Sequence, residues 1–257
     1  MFEDTPIWVL GTIFSLAAGL ATGLGALAVF FVKGKELKYQ NALMGFGAGV
    51  MLAATSFSLI IPSLDHAGNG TKAAYIVVLG MLLGGIVLWL SDFFIPHEFF
   101  LKGHDPQKIM SLKKVWLFVI AITLHNFPEG LAVGVGFGGG DIANGISLAI
   151  GIGIQNIPEG LVVSLALVAN GYSKKKSFII GLLSGLVEPV GGLLGAATVS
   201  IFEPLLPWGL AFAAGAMLFV IAGEIIPESH KVEKTRMITF SVLLGFVLML
   251  FLDVTLG

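Results

Sequence analysis

The sequence contains no cysteine and few charged residues. Of its 257 residues, 12% are Asp, Glu, Lys or Arg, whereas 56% are hydrophobic, and the mean hydropathy is +0.96. Without cysteine, the chain can form neither disulfides nor thiolate metal ligands. Its charged fraction is roughly half that of an average soluble domain. The shortage of charge, together with the high hydropathy, excludes a soluble globular protein and favours a chain that lies within a lipid bilayer.

Motifs that would indicate an ATPase, a zinc hydrolase or a secretory signal are also missing. The sequence has no Walker-type glycine-rich loop and no His-Glu-x-x-His string. Its first residues include Glu3 and Asp4 but no Lys or Arg, so they lack the basic start of a secretory signal. We therefore expect the first hydrophobic run to be retained as a membrane span.

Eight long apolar runs make up most of the chain. A helix that crosses the hydrocarbon core of a bilayer needs about 20 mostly apolar residues. The runs cover residues 7–32, 42–62, 73–95, 114–137, 142–169, 177–201, 205–227 and 236–256. Because they leave only short loops, the sequence predicts an all-α polytopic membrane protein. Residues 1–257 are expected to form a single transmembrane domain of eight spans, numbered 1 to 8 in chain order.

The basic residues lie almost entirely in alternate loops. All but one of the 14 Lys and Arg residues follow spans 1, 3, 5 or 7, and Lys72 is the exception. Loops rich in Lys and Arg stay on the cytoplasmic side of a membrane. The pattern therefore predicts a multi-pass protein of the plasma (inner) membrane with both termini outside the cytoplasm. It places the loop 96–113 inside.

Two internal repeats are visible. Residues 125–130 read His-Asn-Phe-Pro-Glu-Gly, and 30 positions later residues 155–160 read Gln-Asn-Ile-Pro-Glu-Gly. More weakly, residues 47–66 resemble residues 213–230, since each segment has a small-residue run with a methionine, then Ile-Ile-Pro, then a histidine. Spans 2 and 7 run in opposite directions, so we expect spans 1–3 and 6–8 to be inverted repeats around spans 4 and 5. Such repeats with a site between them are typical of transporters.

The two six-residue strings each place polar side chains on one helix face. Residues four apart on a helix lie on the same side, so the first residue of each string faces the same way as its glutamate. These pairs are His125 with Glu129 and Gln155 with Glu159, and the flanking amides are Asn126 and Asn156. Pro128 and Pro158 cannot donate a hydrogen bond and clash with the carbonyl one turn earlier. We therefore expect both helices to kink there.

Three glutamates, Glu129, Glu159 and Glu188, are predicted at mid-membrane depth. Each ionised carboxylate there costs about 2.5–3.5 kcal/mol on insertion scales, and no Lys or Arg lies deep in any span to neutralise it. A divalent metal is the remaining counter-charge. Carboxylate, imidazole and amide groups without thiolate suit Zn²⁺, Fe²⁺, Mn²⁺, Co²⁺ or Cd²⁺. Alternatively, each glutamate is a protonated acid, and His125 a neutral imidazole, hydrogen-bonded between helices.

At these strings the chain resembles the ZIP family of metal transporters, the Zrt-, Irt-like proteins. The resemblance covers nearly the whole length. It implies transport of divalent metal, chiefly Zn²⁺, into the cytoplasm through a site between spans 4, 5 and 6. The implied ligands are His125, Glu129, Gln155 and Glu159 for one ion, and Asn126, Asn156 and Glu188, with the first-site glutamates bridging, for a second.

The resemblance further implies a homodimer in the lipid bilayer. Zinc or another divalent metal would be the substrate, with no organic cofactor and no nucleic-acid partner. Many members carry His or Asp where this chain has Gln155 and Asn156. Because amides are harder, uncharged ligands, we expect broad metal selectivity.

Other polar residues lie near the ends of spans or in loops. His66, Glu224 and His230 could line the entrance or exit of a transport path. The loop 96–113 contains His97 and His104. These two histidines could form a weak cytoplasmic metal site or belong to an ordinary solvated loop.

Two other functions are compatible with buried acids and a histidine. An intramembrane zinc-dependent hydrolase would hold a catalytic zinc, but such a site usually has several histidines and only His125 lies deep in a span. A proton-coupled organic-solute carrier would use the glutamates as proton relays. The metal-transport hypothesis predicts instead a protein that is not an enzyme and that is driven by ion gradients.

Overall fold

The computed structural model describes residues 5–31, 40–68, 70–94, 106–229 and 235–256, which are almost entirely helical. The α-helices are α1 (Ile7–Leu27), α2 (Gln40–Ala53), α3 (Ile61–Ala67), α4 (Thr71–Phe94), α5 (Pro106–Gly136), α6 (Ile142–Ala169), α7 (Lys174–Gly185), α8 (Glu188–Ile201), α9 (Leu206–Val220), α10 (Ile226–Ser229) and α11 (Thr235–Leu256). Short 3₁₀ turns lie at Ala28–Phe30, Gly138–Gly140 and Glu203–Leu205. These ranges contain no strand, so the predicted all-α class is confirmed.

Most of the helical units are long and apolar enough to cross a membrane. Seven units within the described residues meet this condition by length and composition. The prediction of a polytopic membrane protein is thereby confirmed. Helix α5, which carries the first six-residue string, is not among the seven, so the count of eight spans stays a prediction.

Helices α4 and α11 lie at the periphery of the bundle. They are the least buried of the seven candidate spans. Their exposed side chains are large and apolar, as at Leu82, Trp89, Phe240 and Phe251. Contiguous apolar surface of this kind is rare in water-soluble proteins. It suits contact with lipid.

Helix α5 begins earlier than its apolar run indicates. It starts at Pro106, whereas the sequence predicts a start at residue 114. The predicted loop 96–113 is therefore wrong over residues 106–113. Proline is favourable at the first helical position because its missing N–H is not needed there. Residues 95–105, with His97 and His104, lie outside the described residues.

Span 6 is interrupted. Helices α7 and α8 are separated by Leu186 and Val187. Pro189, in the first turn of α8, has no N–H to donate to the Gly185 carbonyl, and its ring crowds that carbonyl. The continuous span predicted over 177–201 thus breaks, and Glu188 lies at the start of a helix instead of in its middle. By contrast, α5 and α6 continue through Pro128 and Pro158, and the kinks expected there stay predictions.

Helix partners repeat on the two sides of α5 and α6. Helix α1 packs on α6 as α8 packs on α5, and α2 packs on α11 as α9 packs on α4. Two π-helical segments, Ala54–Ile60 after α2 and Ile221–Ile225 after α9, occupy corresponding places in spans 2 and 7. An inverted repeat of spans 1–3 and 6–8 would produce this exchange of partners. The repeat stays a prediction, which this packing supports.

Candidate metal-binding site

Polar side chains of α5, α6 and α8 are buried inside the bundle. Six of the seven ligands expected from the sequence are at most 3% exposed, namely His125, Asn126, Glu129, Gln155, Asn156 and Glu188. The seventh, Glu159, is partly exposed and borders a cavity. Helices α5 and α6 each bring one string to the interior, and the break before α8 brings Glu188 to them.

Four of these side chains form a continuous hydrogen-bonded chain. Gln155 Nε2 donates to Glu129 Oε1 at 2.6 Å and to Asn156 Oδ1 at 2.8 Å. Asn156 Nδ2 donates to Glu188 Oε1 at 2.7 Å and to the Ala18 carbonyl at 2.9 Å. The two amides of α6 therefore link a carboxyl group of α5 to a carboxyl group of α8.

Several buried oxygens of the cluster have no hydrogen-bond partner within the described part of the chain. They are one carboxyl oxygen of Glu129, one of Glu188 and both of Glu159, together with both amide atoms of Asn126. A buried polar group without a partner costs about 1–3 kcal/mol, and more if it is charged. Free carboxyl and amide oxygens on three neighbouring helices are suitable ligands for a divalent cation.

The acidic groups are separated by the amides. Among the described residues, no three His, Asp or Glu side chains are gathered closely enough to hold a metal by themselves. Gln155 and Asn156 lie between Glu129 and Glu188 and satisfy one oxygen of each. A metal at this position would therefore replace amide N–H donors by amide oxygens, which requires the two side-chain amides to rotate.

A small cavity reaches the cluster from one side of the bundle. Its volume is about 30 Å³, which is enough for a water molecule. Its polar lining comes from Gln155 and Glu159, and the rest is apolar, as at Met44, Ile122 and Val162. These apolar residues lie toward the ends of α2, α5 and α6 that adjoin the lysine-rich loops. The cluster is therefore approached from the lysine-rich side.

The opposite side of the cluster is closed by packed apolar side chains. Met51, Leu148, Ile152 and Met217 are each at most 1% exposed and belong to the main hydrophobic core. Close packing of this kind leaves no passage for a hydrated ion. Within the described residues, the site thus has a small cavity on one side and close packing on the other.

The other residues predicted to line a path lie away from the cluster. His66 is exposed at the end of α3 and borders a surface pocket of about 320 Å³ together with Lys72 and Glu203. Glu224 lies in the π-helix Ile221–Ile225, but its side chain is outside the description. His230 lies outside the described residues. Their part in an entrance or exit stays a prediction.

Two further polar groups were not anticipated from the sequence. Asp253, in the last turns of α11, accepts a hydrogen bond from Ser58 Oγ at 2.6 Å. A charged residue inside the apolar run 236–256 is a signal that could have identified it. Thr22 of α1 is completely buried, and its hydroxyl has no partner within the described residues. A lone threonine among apolar residues gives no comparable signal.

Comparison with known proteins shows that this chain is similar to zinc transporters. The family model described as "ZIP Zinc transporter" matches residues 101–253. "Zinc transporter GufA" of Myxococcus xanthus is 49% identical over 251 residues, covering 96% of this chain and 99% of the relative. "Zinc transporter ZIPB" of Bordetella bronchiseptica is 44% identical over 246 residues, covering 94% and 80%. Human "Zinc transporter ZIP11" is 33% identical and covers 97% of both chains.

Proposed function

The chain belongs to the ZIP zinc transporter family, and on that premise we propose that it carries Zn²⁺ across the membrane through the polar cluster of α5, α6 and α8. Transport of zinc is the function that its relatives' names share. The location of the site and the direction of transport are our proposals.

One observation carries the proposal for the site. Glu129, Glu159 and Glu188 keep unpartnered carboxyl oxygens in the interior of a membrane protein, and none of the helices there offers a Lys or Arg deep in its apolar run. Ionised acids in such a place need a counter-charge. A divalent ion in transit supplies two positive charges and accepts several oxygen ligands.

We assign the ligands in two groups. His125, Glu129, Gln155 and Glu159 would hold one ion, and Asn126, Asn156 and Glu188, with Glu129 and Glu159 bridging, would hold a second. With amides at two ligand positions, the site is harder and less negative than one built from histidine and carboxylate. We therefore propose that Fe²⁺, Mn²⁺, Co²⁺ or Cd²⁺ can compete with Zn²⁺.

The direction in which the ion passes is proposed from the difference between the two sides of the cluster, one with a cavity and one packed. The ion enters from outside, loses part of its water to the ligands, and leaves through the cavity beside Met44 and Val162 toward the cytoplasm. The outer side is sealed meanwhile by Leu148 and Ile152. For the next ion, the outer helices move about α5 and α6 so that this seal opens. Alternating access of this kind is how inverted repeats operate.

The protein is a transporter and not an enzyme, as the three relatives described above are zinc transporters by name. The two other hypotheses, an intramembrane zinc hydrolase and a proton-coupled carrier of organic solutes, receive no support from these relatives. We propose gradients as the driving force. We also propose a homodimer in the plasma membrane, with both termini outside.

The test is zinc influx into proteoliposomes that contain a zinc-responsive dye. Glu129→Gln removes the charge of a buried group while keeping its shape, so we expect influx to fall to the rate of empty vesicles. Glu203→Gln is the matched control, since Glu203 is exposed in the turn after α8. It should transport as the unmodified chain does.

The two variants together decide the proposal. Influx through Glu129→Gln at the unmodified rate would place the path elsewhere. If the unmodified chain gives no influx but accumulates an organic solute with protons, zinc is not its substrate.

A further inference from the structure

Thr22 of α1 has a buried hydroxyl group whose presence the fold itself does not explain. The residue is 0% exposed, and its Oγ1 has no hydrogen-bond partner within the described residues. A helical threonine usually donates to the carbonyl four residues earlier, which is that of Ala18. Here Asn156 Nδ2 donates to the Ala18 carbonyl at 2.9 Å. Thr55 and Ser147 also have buried hydroxyls without a partner in the described chain, so the place of Thr22 beside the two strings, together with its missing partner, is what points to a role in binding.

Thr22 meets α6 in the same way as Glu188 meets α5. A methyl group added at Gly160 of α6 would collide with the Thr22 carbonyl, and one added at Gly130 of α5 would collide with the Glu188 carbonyl. Gly130 and Gly160 are the last residues of the two six-residue strings. The two strings are thus held against α1 and α8 by equivalent close contacts.

Neighbouring glycines make contacts that are equivalent in the same way between α1 with α6 and α8 with α5. Gly25 of α1 lies against the Ile157 carbonyl of α6, and Gly191 of α8 lies against the Phe127 carbonyl of α5. Gly19 and Gly185 face each other's carbonyls reciprocally. In the pairs Thr22 with Glu188, Gly25 with Gly191 and Gly19 with Gly185, the two members are separated by the same number of positions. Thr22 therefore holds in the first half of the molecule the place that Glu188 holds in the second.

The side chains of Thr22 and Glu188 also occupy equivalent positions. A Cβ added at Gly19 would lie 3.4 Å from Glu188 Oε1, and one added at Gly185 would lie 2.7 Å from Thr22 Oγ1. Glu188 accepts a hydrogen bond from Asn156 of α6. The residue of α5 that corresponds to Asn156 is Asn126, which is fully buried and has no partner for either of its amide atoms in the described chain.

We infer that Thr22 is a positioning residue of the second metal position and, with Asn126, forms its uncharged side. Threonine is shorter than glutamate, so the Thr22 hydroxyl would act on Asn126 and the ion through a bound water instead of as a direct ligand. The ion at this position is then a partly hydrated Zn²⁺ whose charged ligands are Glu188 and the two bridging glutamates, with neutral oxygens on the side of Thr22. This inference rests on the proposed function.

The uncharged side has a consequence for transport. An ion must be bound tightly enough to lose water and loosely enough to leave. A further carboxylate in the place of Thr22 would hold a divalent ion more firmly than the neutral hydroxyl and amide do. Thr22 thus sets how readily the second ion is released.

The experiment compares Thr22→Val with Thr22→Ser in the purified full-length chain. Zinc binding is followed by titration calorimetry, and the melting temperature is measured with and without zinc. Thr22→Val keeps the shape but removes the hydroxyl. We expect it to weaken the second zinc-binding step by about tenfold, the range found for groups that support a metal ligand, and to leave the first step unchanged. Thr22→Ser should restore the second step.

The melting temperature separates this role from a structural one. Removing an unpartnered hydroxyl should leave the zinc-free melting temperature equal or higher, while the increase produced by zinc becomes smaller. Thr12→Val is the matched control on α1, since Thr12 Oγ1 donates to the Trp8 carbonyl at 2.6 Å. It should change neither zinc step.

Three results with Thr22→Val would overturn the inference. They are a second zinc step of unmodified strength in Thr22→Val, an equal loss of both steps, and a lower zinc-free melting temperature in that variant. A single zinc step in the unmodified chain also overturns it but leaves the proposed function standing. Only if the unmodified chain binds no zinc does the proposed function fail too.

Discussion

The side chains of Gln155 and Asn156 determine the electrostatics of the site. Each donates hydrogen bonds to a glutamate, and together they separate Glu129 from Glu188. Without them, two carboxyl groups would face each other in a medium of low dielectric constant, where like charges repel strongly. The amides therefore stabilise the metal-free cluster, and in the proposed site they would also offer oxygens to an ion. This double use would let the acids remain buried between ions.

A change at Gln155 tests this view. Gln155→His replaces a hard amide by an imidazole, which is a better ligand for zinc. We expect zinc to bind about tenfold more tightly and the preference for Zn²⁺ over Mn²⁺ to rise. Competition titrations of the purified protein with both ions measure these values.

Unchanged selectivity in Gln155→His would mean that this side chain does not contact the ion. Thr255→His is a suitable control, because Thr255 is exposed in the last turn of α11, and that helix contributes no residue to the cluster or to the cavity.

At the scale of helices, close backbone contacts at glycines fix the position of the two six-residue strings. Gly130 and Gly160 bring α8 and α1 so close that a methyl group on either glycine would collide with backbone. The break between α7 and α8 turns Glu188 toward α5 and α6. Small residues of this kind allow close helix contact in membranes, where the hydrophobic effect contributes little.

Gly160→Ala should therefore damage the site through packing. The added methyl has backbone as its neighbour, so we expect a loss of about 1–3 kcal/mol of stability or more and a fall in zinc transport. Gly153→Ala is the control on the same helix, because its added methyl would have only ordinary contacts, the nearest at 3.8 Å. Melting temperatures in lipid nanodiscs compare the two, and equal values would show that α1 can move away without cost.

At the scale of the molecule, the two sides of the cluster differ within the described residues: a small cavity lies toward the lysine-rich ends of the helices, and the other side is packed. The chain's lack of cysteine makes this easy to test with single introduced thiols. Met44→Cys borders the cavity, whereas Ile152→Cys lies in the packed core. We expect a membrane-impermeant thiol reagent on the cytoplasmic side to label the first in zinc-free protein, and neither side to label the second. Rapid labelling of Ile152→Cys from outside would indicate that the resting state is open the other way.

Transport should also depend on pH. Carboxylates must be free of protons to bind a metal, so protons compete with Zn²⁺. As the pH falls from about 7.5 to about 5.5, we expect the initial rate of zinc influx to decrease. Dye-loaded vesicles with equal pH on both sides measure this, after the dye itself is calibrated at each pH. A rate that stays constant over this interval would contradict a carboxylate site.

Composition and local pattern determined much of this protein. Long apolar runs can only be stable as membrane helices, because lipid offers no partners for backbone groups. The two strings identified the polar residues of α5 and α6, since spacing along a helix defines its faces. The family followed from the same strings and was confirmed by the relatives.

Only the tertiary structure decided what those residues meet. The Asp253 contact with Ser58 and the place of Thr22 beside α6 depend on neighbours far apart in the chain. A threonine or a glycine looks the same in any apolar run. Its role depends on which helix packs against it. The two segments that make this contact are far apart in the sequence and become adjacent only when the chain folds.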